Sequence, residues 1–174
     1  MTLAQDILTE FETQASITRR FLERLPEDRL TWKPHEKSFT AGQLALHIAQ
    51  VPGNVVRLAQ LNPAPAPNFA NAAPQPSSLQ EILRSHDEGV SVVRSALPKF
   101  DDASMNEHWR IVQGDREVVA MPRGEFLRNI MLNHWYQHRG QFSVYLRILN
   151  VAVPASWGPS ADELPAFLQQ GKSA

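Results

Sequence analysis

No cysteine occurs among the 174 residues of this chain. Disulfides, thiolate nucleophiles and cysteine-based metal sites are therefore excluded, and any metal site must use His, Asp or Glu. The same absence says little about redox compartment. Also missing is an apolar run long enough to span a bilayer. The N-terminal MTLAQDILTEFETQ has acidic residues and no apolar h-region, so it does not read as a signal peptide. A cytoplasmic protein with no membrane partner is the default expectation. A charge excess is lacking too. Lys and Arg number 17 against 18 Asp and Glu, for a net charge of −1. Nothing in that balance calls for nucleic acid as a partner. Hydrophobic residues make up 43% and charged residues 20%, an ordinary globular composition. The length suits one domain, 1–174, with a sizeable core.

What is present is helical periodicity. A first stripe, Leu3, Ile7, Phe11, Ala15, Thr18, Leu22 and Leu25, ends at Pro26. A second begins near the N-cap candidate Thr40 and carries Leu44, His47, Ile48, Val51, Val55 and Leu58. Pro52 lies inside it, so a kink or break is expected about one turn after His47. Residues 62–76 hold five of the 13 prolines and read as a semi-rigid connection. Ser78-Leu79-Gln80-Glu81 is a capping-box pattern opening a third helix. Its stripe is Leu79, Ile82, Leu83, His86, Val90, Val93 and Leu97, and Pro98 ends it. Residues 99–121 are irregular, with room for a short hairpin of Trp109–Val112 and Glu117–Ala120 around Gln113-Gly114-Asp115. A fourth helix is predicted from near Pro122 to about Leu149, with the stripe Leu127, Ile130, Met131, His134, His138, Phe142, Tyr145 and Leu149. A turn-rich tail follows, then a short helix near Leu164–Gln170. The fold class expected is all-α, a four-helix bundle with a long helix 2–helix 3 connection.

His134 and His138 are four residues apart, which stacks them on one helical face. Two imidazoles so placed can converge on one ion. The competing explanation is a pair of core histidines, each bonded to a carbonyl or hydroxyl. Burying neutral imidazole is costly unless each nitrogen finds a partner, and a shared metal would supply one. His47, on the inner stripe of helix 2, is the natural third ligand. Three imidazoles would leave open coordination positions, the catalytic rather than the structural pattern. His86 has no ligand-type residue three or four positions away and is read first as a packed core histidine that could line a pocket. His35 and His108 are read as surface residues. Gln141 and Tyr145 extend the His134–His138 face and are candidates for contacts to the ligands or to substrate. Gly140 costs about 1 kcal/mol against Ala inside a helix, which a close helix–helix approach would explain. Trp32, Trp135 and Trp157 are read as core or interface.

Three elements together resemble the DinB-like family. They are Trp32-Lys33-Pro34 followed by helical His47, His134-x-x-x-His138-Arg139-Gly140-Gln141, and the tail Gly158-Pro159-Ser160-Ala161-Asp162-Glu163. The resemblance runs from helix 1 to the tail. It implies a four-helix bundle with a crossover connection, and a divalent metal held by His47, His134 and His138. Zinc or nickel is usual in the family, with water completing the shell, and members are often homodimers. Some relatives are thiol-dependent transferases or isomerases that use low-molecular-weight thiols. Many have no established reaction, and induction by DNA damage does not imply action on DNA.

Three neutral imidazoles leave a bound ion its full charge, which lowers the pKa of a bound water or thiol. Thiol S-transferase chemistry is favoured, with the thiol supplied by a cosubstrate because the chain has none. Metal-dependent hydrolysis and a non-catalytic metal- or ligand-binding module are the alternatives. Asp162, Glu163 and Asp115 are general-base candidates only if their loops fold over the site.

Overall fold

The helices begin where short polar side chains satisfy the free N–H groups of a first turn. The computed structural model describes residues 1–68 and 72–169. Residues 69–71 of the Pro-rich connection, and Gln170 at the expected end of the last helix, lie outside them. Thr2 opens α1 (Leu3–Leu22), and its hydroxyl accepts from the Gln5 N–H while the Gln5 side chain returns to the Thr2 N–H. Thr40 and Gln43 form the same reciprocal box at the start of α2 (Ala41–Ala59). Ser78 caps α3 (Leu79–Ala96), but Glu81 bonds Ser77 instead of completing a box. α1 stops three residues before the predicted end. Leu25 precedes Pro26, which disfavours helical backbone there, yet Leu25 is still buried.

α2 lies between α3 and α6 (His134–Ile148), and α1 packs against α3 and α6. The α2–α3 contact is close because of two glycines. A Cβ on Gly53 would fall 2.9 Å from the Gly89 Cα. Such an approach suits a small pair and no other.

The structure is mostly helical but not all-α. A short helix α4 (Asp102–Asn106) leads into the expected hairpin, β2 (His108–Gln113) and β3 (Arg116–Pro122). Gly114 takes φ +59° in its turn. A third strand, β1 (Ala64–Pro65), comes from the Pro-rich connection and runs parallel to β2, with the Ala66 N–H donating to Val112 O. Burial explains the sheet. Trp109 is fully buried, stacks on Phe126 at 3.9 Å and donates to Leu61 O. Arg123, also buried, donates to Ala59 O and Ser104 O and pairs with Glu107, joining the sheet end to α2 and α4.

The predicted fourth helix is three pieces: α5 (Arg123–Phe126), a π-helical segment (Leu127–Asn133) and α6. The wide turn changes which residues face inward. Met131, Leu132, Trp135, Arg139, Phe142 and Leu146 are buried, whereas Ile130, expected in the core, is 38% exposed. A stripe drawn at a constant 100° per residue misses this rotation. The tail is tied down by its acidic residues. Asp162 accepts from Arg147 and the Val153 N–H, and Glu163 from Arg20 and the Ala155 N–H. A short α7 (Ala166–Gln169) follows.

Candidate metal centre

His47 projects from α2, and His134 and His138 from the first turns of α6. The shift of the buried stripe to Trp135 and Arg139 leaves both α6 histidines on the flank of the core, half-buried. The three rings meet there. Centroids lie 4.7 Å apart for His47–His138, 5.4 Å for His47–His134 and 4.5 Å for His134–His138. One nitrogen from each ring lies within 4.8 Å of the others. No carboxylate joins this group among the described residues.

Pro52 turns out to serve this convergence. It neither ends nor interrupts α2. Lacking an N–H, it leaves the Ile48 carbonyl without its helical donor. The Trp135 indole supplies that donor, Nε1 to Ile48 O at 2.9 Å, in a buried hydrogen bond. Ile48 follows His47 and Trp135 follows His134, so the bond fixes α2 against α6 at the level of the histidines. Trp135 also stacks on Phe11 of α1 at 5.3 Å.

The hydrogen bonds of the rings test whether an ion fits. His138 Nδ1 lies 2.9 Å from Gln141 Oε1; with that oxygen as acceptor, Nδ1 carries the proton and Nε2 keeps its lone pair. That Nε2 is 2.8 Å from His134 Nε2. His134 Nδ1 is buried with no hydrogen bond of normal geometry, and the ring interacts with the Ile130 carbonyl. If His134 donated through Nε2, its bare Nδ1 would face a carbonyl oxygen. If Nδ1 holds the proton, two lone pairs confront each other at 2.8 Å. A cation between them removes the conflict, and nitrogens this close can share an ion about 2.0–2.1 Å from each.

The electrostatics favour the neutral, metal-binding form of His47 and His134. Burial, then His138 and His134, push His47 down to about 4. Burial and then His138 also push His134 below the ordinary value, with the Ile130 carbonyl acting the other way. Phe39 leans on His47 at 5.9 Å between rings. The Phe39 carbonyl accepts from Tyr145 Oη at 3.2 Å, and Tyr145 meets Trp32 edge-on at 5.7 Å. Gln141 thus touches a histidine directly, whereas buried Tyr145 bears on the cluster through Phe39.

His86 is elsewhere. It is buried between α3 and α1, with Nδ1 3.4 Å from Asp87 and no hydrogen bond of normal geometry at Nε2. His35 is exposed and accepts from the Lys37 N–H, and His108 is exposed on β2. Asp162 and Glu163 are engaged in the tail, and Asp115 is exposed in the hairpin turn. Phe39 and the Pro52–Trp135 pairing are two parts of the site that helical periodicity does not single out. Both left signals: a proline inside a helical pattern frees one carbonyl, and a buried indole needs an acceptor.

The fold and the cluster define a class: mostly helical proteins with an all-histidine group between two long helices. The chain belongs to the DinB family, whose model matches residues 1–165. It is 27% identical to the uncharacterized protein YrdA of Bacillus subtilis (strain 168) over 162 residues, covering 92% of this chain and 91% of that one. Two crystal structures of DinB-like proteins share the fold. One, from Bacillus cereus ATCC 10987, has TM-score 0.68 and 20% identity, covering 87% of this chain and 96% of the other. The second, YjoA of Bacillus subtilis, has TM-score 0.60 and 19% identity, covering 93% and 97%.

Proposed function

We propose that this chain binds a divalent transition-metal ion, zinc or nickel, through His47, His134 and His138, and that the ion serves thiol S-transferase-type chemistry. The observation that carries the metal reading is the 2.8 Å approach of His134 Nε2 and His138 Nε2 in a group of three imidazoles that includes His47. Family membership supports it. Three protein ligands leave coordination positions for water or substrate. When bound, the ion supplies Lewis acidity that brings the pKa of a water or thiol toward neutrality. The thiol is a low-molecular-weight cosubstrate, since the chain has no cysteine. Gln141 holds the His138 tautomer, Trp135 and Pro52 hold the two helices in register, and Phe39 shields one side of His47.

The same reading takes residues 1–174 as one four-helix-bundle domain with a crossover connection, forming a homodimer in the cytoplasm. Val144 and Ile148, 56% and 52% exposed on α6, give a second copy an apolar face. Gly140 on that helix has nothing within 4 Å of its Cβ position among the described residues, so close packing among them does not account for it.

Protein purified without an affinity tag or added metal should contain near-stoichiometric zinc or nickel by elemental analysis. Its metal-loaded form should then join biological thiols to a generic electrophile faster than the His138→Ala variant. Turnover confined to ester or amide substrates would favour the hydrolase alternative. Metal without turnover would favour a binding module.

A further inference from the structure

Most of α2 is buried, and its solvent-facing residues fall on one line. Gln43, His47, Gln50, Asn54 and Arg57 share a face, at spacings of three and four. His47 is thus the metal-site end of a polar stripe. Beyond it, Gln50, Asn54 and Arg57 of α2 line a groove of about 150 Å³ with Ser85, Glu88 and Gly89 of α3. The Gly53–Gly89 contact sets its width by drawing the two backbones together.

The groove holds one cation and one anion that do not pair. Arg57 donates to Asn54 Oδ1 at 3.1 Å, and neither Arg57 nor Glu88 forms an ion pair among the described residues. Two amides and a hydroxyl, of Gln50, Asn54 and Ser85, line the same groove. Convergent polar groups in a small concavity, with unpaired charges of both signs, suit a compact zwitterion.

We infer that this groove binds an α-amino-acid end group, its carboxylate on Arg57 and its ammonium on Glu88. The ligand's other end reaches the histidine cluster, a part of the inference that rests on the proposed function. Reach sets the ligand's length. The Arg57 guanidinium folds back to within 3.5 Å of the Gly53 Cβ position. Gly53 is six residues beyond His47, about 9 Å along a helix. An extended chain covers that in about three residues. The ligand class is therefore a small peptide-like molecule with a free amino-acid terminus.

The test uses γ-glutamylglycine, which has that terminus and no sulfur, in ¹H–¹⁵N NMR titrations of the protein as purified. Saturable shifts are expected at the Gly89 backbone amide and at the Gln50 and Asn54 side-chain amides. Arg57→Met and Glu88→Gln should each weaken binding at least fivefold while leaving the rest of the spectrum unchanged. The N-acetylated peptide should not bind. No saturable shift at those amides, or equal binding of the acetylated peptide, overturns the inference. His138→Ala separates the two readings: groove shifts that persist in that variant support the groove whether or not elemental analysis finds an ion.

Discussion

Among the described residues, two histidines, buried His86 and half-buried His134, each have a buried ring nitrogen without a hydrogen bond of normal geometry, and only one belongs to a cluster. His134 Nδ1 and His86 Nε2 lack such a bond, although the two rings interact with the backbone of Ile130 and Ala15 respectively. Around His134, two further imidazoles present nitrogens within 4.8 Å. Around His86 the polar groups are already committed. Asp87 is bonded to Arg19, and that guanidinium holds the Asp87 carboxyl below its usual range. An unpaired nitrogen is thus a common cost of burial and marks no site by itself; what sets His134 apart is that its other nitrogen, Nε2, meets His138 Nε2 in a group of three imidazoles. Burial pushes both rings down from the ordinary histidine value. Titration alone does not tell them apart.

The largest expected effect concerns bound metal. At a free concentration 1,000 times Kd, an ion that binds only the folded state adds about 4 kcal/mol. At about 2–4 °C per kcal/mol for a chain this size, a chelator at pH 7.5 should lower Tm by about 8–16 °C. The His47 ring stays neutral in the fold down to about pH 4, whereas the unfolded chain takes up that proton near 6.5. Its contribution is therefore complete above about 6.5 and is lost as pH falls toward 4. The metal-free protein should therefore lose thermal stability over that window in differential scanning fluorimetry, and a metal-free Tm independent of pH between 6.5 and 4 would count against a buried neutral His47.

Next in size, His138→Ala should weaken metal binding at least 100-fold by calorimetry. His86→Ala should leave metal binding within about twofold and lower stability by about 2 kcal/mol in urea. A loss of metal in the His86 variant would erase the distinction between the two sites. Gln141→Ala should cost about tenfold in metal affinity, because the His138 tautomer is no longer held. Smallest is Trp135→Phe, which should destabilise the fold by about 1 kcal/mol and weaken metal binding modestly. Pro52→Ala in that background restores a donor to Ile48 O and should recover part of the stability. Additive effects of the two substitutions would break the proposed link between them.

Much of this was legible in the sequence. The spacing of His134 and His138 and the stripe containing His47 put three ligand-type residues on two helices, and the helices carry them together. Thr40, Ser78 and the Gly114 turn announced their local structures through side-chain and backbone chemistry that acts over three or four residues. What escaped depends on distant partners. The π segment is invisible to a fixed 3.6-residue period, which puts Ile130 inside and leaves Trp135 off the stripe. β1 exists because Ala64 pairs with Ile111, a contact between segments far apart in the chain. A kink or break at Pro52 follows from a helix read alone, which has no donor for Ile48 O; the break does not occur because Trp135 supplies one. Phe39 lies outside every periodic segment, and its approach to His47 depends on where Tyr145 lies.

The Ile48–Trp135 bond has a consequence for how two helices find their alignment. Side-chain ridges repeat along a helix, so packing alone offers several nearly equivalent settings one turn apart. A free backbone carbonyl in mid-helix does not repeat, and Pro52 creates one at Ile48. A slip of α6 by a turn would preserve much of the ridge packing and still leave that carbonyl and the indole N–H unmatched in the core. The proline therefore converts a periodic surface into one with a single marked position, and His47 and His134 each lie one residue from the mark.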